Sequence, residues 1–195
     1  MFRRFFMLVA AFMLIQGDTT TEAASPQTSE VYAPFNCDFG AIPCTDVGNA
    51  KLTRKKNSVA MNIQTSGLEG GAAYTAWWVI FNNPSACTDG CDPGDFGNPD
   101  VKATVIWATG HVVGGNGLTG FAASLNEGDI SNVAPFNLPG DAFGLIDAAT
   151  AEILIAVRSH GPTIPGQMPA QIKQFFGGCP PNICEDKEFA HFPVP

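Results

Sequence analysis

Residues Glu152–Pro162, reading Glu-Ile-Leu-Ile-Ala-Val-Arg-Ser-His-Gly-Pro, constrain the fold most. Ile153, Ile155 and Val157 project to one side of an extended chain, and Leu154, Ala156 and Arg158 to the other. Apolar residues at both parities require cover on both faces, which predicts a central strand enclosed up to Arg158. The run stops in His160-Gly161-Pro162. There Gly161 permits a tight reversal, Pro162 ends strand pairing, and His160 is expected to hydrogen-bond a neighbouring loop.

The rest of the chain repeats this pattern of strands and turns. Residues 58–65 alternate Val59, Met61 and Ile63 with polar or small residues, as a half-buried strand does. After the turn Ser66-Gly67-Leu68-Glu69-Gly70-Gly71, residues 73–81 carry Tyr74, Trp77, Trp78, Val79, Ile80 and Phe81 and predict a second strand buried on both faces. Residues 101–113 put Val101, Ala103, Val105 and Trp107 on one face, with His111 at the same parity. Gly114-Gly115-Asn116-Gly117 predicts a hairpin turn into residues 118–125. A short helix is expected only at residues 169–176, where a proline suits the helix entry. This pattern predicts an all-β fold, an antiparallel β-sandwich or partly open Greek-key barrel with disulfide-bonded loops.

The amino-terminal residues read as an address. Arg3 and Arg4 precede an apolar run, 5–15, that is shorter than the ~20 residues a membrane span requires, and small residues suited to cleavage follow. We therefore read 1–25 as a signal peptide, 26–50 as a disordered leader and first disulfide loop, and 51–195 as a single β domain. Location outside the cytosol, extracellular or periplasmic, follows from this reading, with no stable membrane insertion after cleavage. The chain carries 18 acidic against 10 basic residues, a net charge of −8. That balance argues against nucleic acid as a partner, because phosphate binding needs a distributed basic surface. The local basic run Lys51, Arg54, Lys55 and Lys56 reads as a solvated strand end.

Six cysteines fall in three close pairs. In an exported chain an even count favours disulfides. The pairing that asks least of tertiary structure is Cys37 with Cys44, Cys87 with Cys91, and Cys179 with Cys184. Such short loops pin local segments and do not replace a core.

Two groups are candidate metal ligands. His111, His160 and His191 are the only histidines. Converging as neutral imidazoles, they would hold Zn2+ or Cu2+ with an open coordination position; otherwise each caps a turn or is satisfied in the core. Asp89, Asp92, Asp95 and Asp100 lie on one glycine-rich loop whose oxygens suit Ca2+, without the regular EF-hand pattern. An acidic loop tied by a disulfide and holding no metal is the other reading. Ser159 beside His160 does not make a catalytic pair, since neighbours in a strand point to opposite faces. The Gly-x-Ser-x-Gly elbow, the phosphate loop and the dinucleotide fingerprint are absent from the sequence.

Gly117-Leu118-Thr119-Gly120-Phe121 with Leu125, Gly144-Leu145-Ile146-Asp147, and Ala151-Glu152-Ile153 running into His160-Gly161-Pro162 and Gly166 resemble the CHRD domain. This module of chordin-like and secreted bacterial proteins is matched over about 101–178. Where the family turn reads His-Ile-His-Gly-Pro, this chain has Arg158-Ser159-His160-Gly161-Pro162, so the first histidine of the doublet is missing. Residues 65–84 are also similar to stretches of secreted bacterial proteins without an assigned activity. The expected function is a secreted, non-enzymatic β-sandwich module that binds an extracellular protein or glycan through strand-end loops. The alternative is a small secreted metalloenzyme using histidine-bound Zn2+ or Cu2+.

Overall fold

The computed structural model describes residues 26–37, 42–136 and 143–195. The proposed signal peptide lies outside them. The described residues form eight strands: β1 (Gln27–Ala33), β2 (Thr45–Lys55), β3 (Ser58–Thr65), β4 (Ala72–Phe81), β5 (Ala103–Val112), β6 (Thr119–Asn126), β7 (Glu152–Pro162) and β8 (Glu185–Phe192). They make one sheet in the order β5-β4-β7-β8-β1-β2-β3-β6, with every strand ladder antiparallel. The two ends of this order, β5 and β6, come together, so the sheet curls into a nearly closed barrel. The all-β expectation holds.

One apolar cluster fills the barrel. It includes Leu52, Ile63, Tyr74, Trp78, Ile80, Phe121, Ile153, Ile155 and Val157. A second lies against the outside of β5, β4, β7 and β8, where Trp77, Val79, Phe81, Val105, Leu154, Ala156 and Phe189 meet Cys37, Cys91 and Phe175 from the covering loops. This outer layer explains why all ten residues of β4 are buried and why the burial of β7 runs past Arg158 to His160. The three local disulfides are formed, and those of Cys37 with Cys44 and Cys87 with Cys91 tie down covering loops of this layer.

The structure corrects several expectations. The stretch 26–50 contains β1 and the start of β2, so a disordered leader does not describe it and the boundary at residue 50 cuts through β2. Only Val31 of β1 is fully buried, which is why no hydrophobic period announces the strand; its backbone ladder to β2 holds it in place. Arg54 is not solvated. It is 7 % exposed, donating from Nε to Gln27 Oε1 (2.7 Å) and from Nη1 to the Ala148 carbonyl (2.8 Å). The turn 114–117 does join β5 to β6, but they form the seam of the barrel and not a hairpin ladder. The expected helix at residues 169–176 shortens to α1 (Met168–Gln171).

Two bulges set where the polar groups point. Trp77 pairs with Trp107 but Ala76 with Thr109, leaving Ala108 as the extra residue in β5. One extra residue reverses the side-chain alternation beyond it. His111 therefore leaves the face of Trp107, lies opposite Tyr74 and stacks on Phe121 at 4.6 Å between ring centres. In β8, Val157 pairs with Glu188 and Arg158 with Asp186, so Lys187 is extra. This bulge sends Asp186 outward and Glu188 toward the barrel interior.

Candidate functional site

The outer face of the sheet carries a cleft of about 400 Å³. Its floor is formed by Trp77, Val79 and Phe81 of β4, Val105 of β5, and Leu154 and Ala156 of β7. Its walls are Phe35, Pro93, Phe96, Phe136, Phe175 and Phe176 from the covering loops. The floor follows from strand alternation, because each of these β4 and β7 residues has the parity that faces out of the barrel. Phe175 is the hub of the wall, in edge-on contact with Trp77 (5.0 Å), Phe136 (4.4 Å) and Phe176 (5.0 Å). Phe136 and Phe176 are exposed at the rim.

Among the described residues, Arg158 and Asp186 are the two charged residues on this lining. Arg158 donates from Nη1 to Asp186 Oδ1 at 2.8 Å and from Nε to the Phe175 carbonyl at 3.1 Å. Its guanidinium carbon stands 3.9 Å from the centre of the Phe175 ring. The charge is thereby paired and stacked at one side of an otherwise apolar cleft. Among the described residues the lining holds no histidine, cysteine, serine or unpaired carboxylate, and it offers an apolar group a surface to bury against.

The sequence-derived metal candidates are placed apart. His111 lies inside the barrel seam, where Nε2 meets Thr119 Oγ1 at 2.5 Å; desolvation lowers its pKa. His191 sits opposite Leu154 at the far end of β7 from His160 and contacts Glu152 Oε1 at 2.8 Å. His160 is fully buried on the outer face. Its Nδ1 lies 2.9 Å from the Gly177 carbonyl, which makes Nδ1 the protonated nitrogen, and Nε2 accepts from Thr75 Oγ1 at 2.8 Å. Thr75 Oγ1 in turn accepts the Trp77 indole N–H at 2.6 Å. Burial lowers the His160 pKa to about 4, against the raising effect of the Gly177 hydrogen bond, with Arg158 lowering it further. This chain of donors keeps His160 neutral and spends both ring nitrogens.

Among the described residues, one group of three His, Cys, Asp or Glu side chains brings its ligand atoms within 4.8 Å of one another: His160, Cys179 and Cys184. The two sulfurs are bonded to each other, so the oxidised chain offers no thiolate there. The aspartate loop is occupied by its own backbone. Asp95 accepts from Thr88 N and Asp92 N, and Asp92 accepts from Gly94 N, closing a capping box around Pro93–Gly97. Asp89 and Asp100 are exposed and do not join a cluster with them.

The sequence reading missed the cleft. Its signal was present in the second parity of β4 and β7, where Trp77, Val79, Leu154 and Ala156 require an outer cover, but the covering aromatics come from loops with no period of their own.

No family model matches the chain, no curated protein is similar to it, and no solved structure matches its fold.

Proposed function

We propose that this protein is a secreted, non-enzymatic binding module that takes a compact apolar ligand, of the size of one or two aromatic rings, into the cleft on the outer face of the sheet. The observation that carries the reading is the aromatic lining around Phe175, with its one ion pair already closed. A volume of about 400 Å³ lies in the range of small-molecule sites, and such sites are lined mainly by apolar and aromatic side chains with a few placed polar groups. A glycan fits less well, because its hydroxyls need many donors and acceptors and the cleft presents few that are not already engaged. Export is supported by the three disulfides, which persist in oxidising compartments, and by the resemblance of 101–178 to a module of secreted proteins. A metalloenzyme finds less support, since the one compact ligand group among the described residues would first require reduction of the Cys179 to Cys184 disulfide.

Titration with 2-naphthol, followed by tryptophan fluorescence, tests the reading. Saturable one-site quenching is expected in the wild type, with loss of binding in Ala156→Phe, which fills the floor, and weakening in Phe176→Ser at the exposed rim. Absence of saturation, or equal binding by both folded variants, contradicts it.

A further inference from the structure

A different site is built around Glu188, inside one end of the barrel. Its side chain faces inward opposite Val157, and the residue is 3 % exposed. Oε2 accepts the Thr65 hydroxyl at 2.8 Å, whereas Oε1 has no hydrogen-bond partner among the described residues. The carboxyl group lines a cavity of about 470 Å³, separate from the outer cleft, with Val47, Leu68 and Tyr74 among its walls. The nearest positive charge does not answer it: Lys187, which also lines the cavity, pairs its Nζ with Glu185. The Tyr74 hydroxyl is engaged by the Glu69 N–H at 3.0 Å.

A largely buried carboxylate with half of its acceptor capacity open leaves room for a donor from water or a ligand. Among the described residues no donor bonds Oε1, and Val47, Leu68 and the Tyr74 ring give the cavity an apolar side beside it. We propose that this barrel mouth is a binding site for a primary alkylammonium ligand, whose charged N–H donors bond Oε1 of Glu188 while its alkyl chain packs on Val47, Leu68 and Tyr74. Opposite charge at a largely buried carboxylate gives a strong class of hydrogen bond. Burial raises the Glu188 pKa to about 7, against the lowering effect of the Thr65 hydroxyl, so the carboxylate is available above neutrality and is lost to protonation below it. Among the described residues, the other titratable groups on the cavity are Glu69, Lys187 and Tyr74. The strands packed against Glu188 add uncharged Thr65 from β3, Val157 from β7, and Thr45 and Val47 from β2.

Calorimetric titration with n-butylammonium tests the site, with butan-1-ol as the neutral control. At about pH 8.5 the amine is protonated, since it ionises near the ~10.4 of a lysine side chain. The wild type should bind one equivalent, and affinity should fall at least about tenfold both in Glu188→Gln and at about pH 5.5. Butan-1-ol should not saturate, and Ala156→Phe, which alters only the outer cleft, should bind butylammonium as the wild type does. No saturable binding at the higher pH, undiminished binding by Glu188→Gln, or equal binding of butan-1-ol overturns the proposal. Should Glu188→Gln fail to fold, the 13C resonance of the Glu188 carboxyl in the wild type decides. Butylammonium must lower its titration midpoint by about one pH unit or more, and an unchanged midpoint overturns the site.

Discussion

The Thr75 hydroxyl and the His160 imidazole meet at 2.8 Å in the buried outer layer, where neither reaches solvent. Thr75 passes on the hydrogen bond it receives from Trp77, and His160 delivers the chain to the Gly177 carbonyl, joining the floor of the cleft to the loop that carries Phe175. His160 is thus a strut between a strand and the wall of the cleft. His160→Ala should cost about 3 kcal/mol or more in denaturant unfolding, because it leaves a cavity and strands two buried polar groups. The oxidised wild type should bind no stoichiometric Zn2+ in a calorimetric titration. Tight one-to-one binding lost in the variant would make His160 a ligand instead.

Glu188 and His160 pull stability in opposite directions with pH. The Glu188 pKa is raised in the fold to about 7, so its contribution is full at low pH and is lost as pH rises from about 4.5 through 7. The His160 pKa is depressed to about 4, so its contribution is full above about 6.5 and is lost as pH falls through 4. The two trends offset each other in the wild type. Glu188→Gln removes only the first, so its stability relative to the wild type should increase from pH 4.5 to pH 7 and then level off. Chemical denaturation across that window checks the slope, and a relative stability that declines with pH would show that the carboxyl is not held protonated by burial.

Thr104 is fully buried, and its hydroxyl has no hydrogen-bond partner among the described residues. Thr104→Val keeps the shape and removes the unpaired polar atom. It should raise stability by about 1 kcal/mol in urea melts, and a loss of similar size would reveal a partner for the hydroxyl.

Ile155 sits at the centre of β7, paired to Trp78 on one side and Ala190 on the other, with no exposed surface. Ile155→Ala should cost about 2–5 kcal/mol. A loss below about 1 kcal/mol would mean that the barrel interior collapses around the smaller side chain.

Much of this barrel is legible in residue order, and the boundary of that legibility has physical causes. β3, β4, β6 and β7 announce themselves because burial on one or both faces writes period-two or continuous apolar runs. β1 does not, because Val31 is its only fully buried residue and much of the rest of its order is backbone pairing, which every sequence can supply. In β8 the inserted Lys187 breaks the alternation, bringing Asp186 to Arg158 and Glu188 to Thr65. The same effect at Ala108 turns His111 away from the face its parity predicts. A bulge leaves no mark in composition, so the polar centres of both cavities were hidden while the strands bearing them were partly visible. The cysteine pairs were readable because each closes locally.

The outer cleft as a binding site is tested most directly by mapping where an apolar ligand goes. In 1H–15N spectra recorded during titration with 2-naphthol, the Trp77 indole N–H and the Arg158 Nε–H, both from cleft-lining side chains, should shift along one saturating curve. The indole of Trp78, which packs in the barrel interior, should not move. Shifts that never saturate, or a saturating response at Trp78 with Trp77 and Arg158 unchanged, would contradict the account.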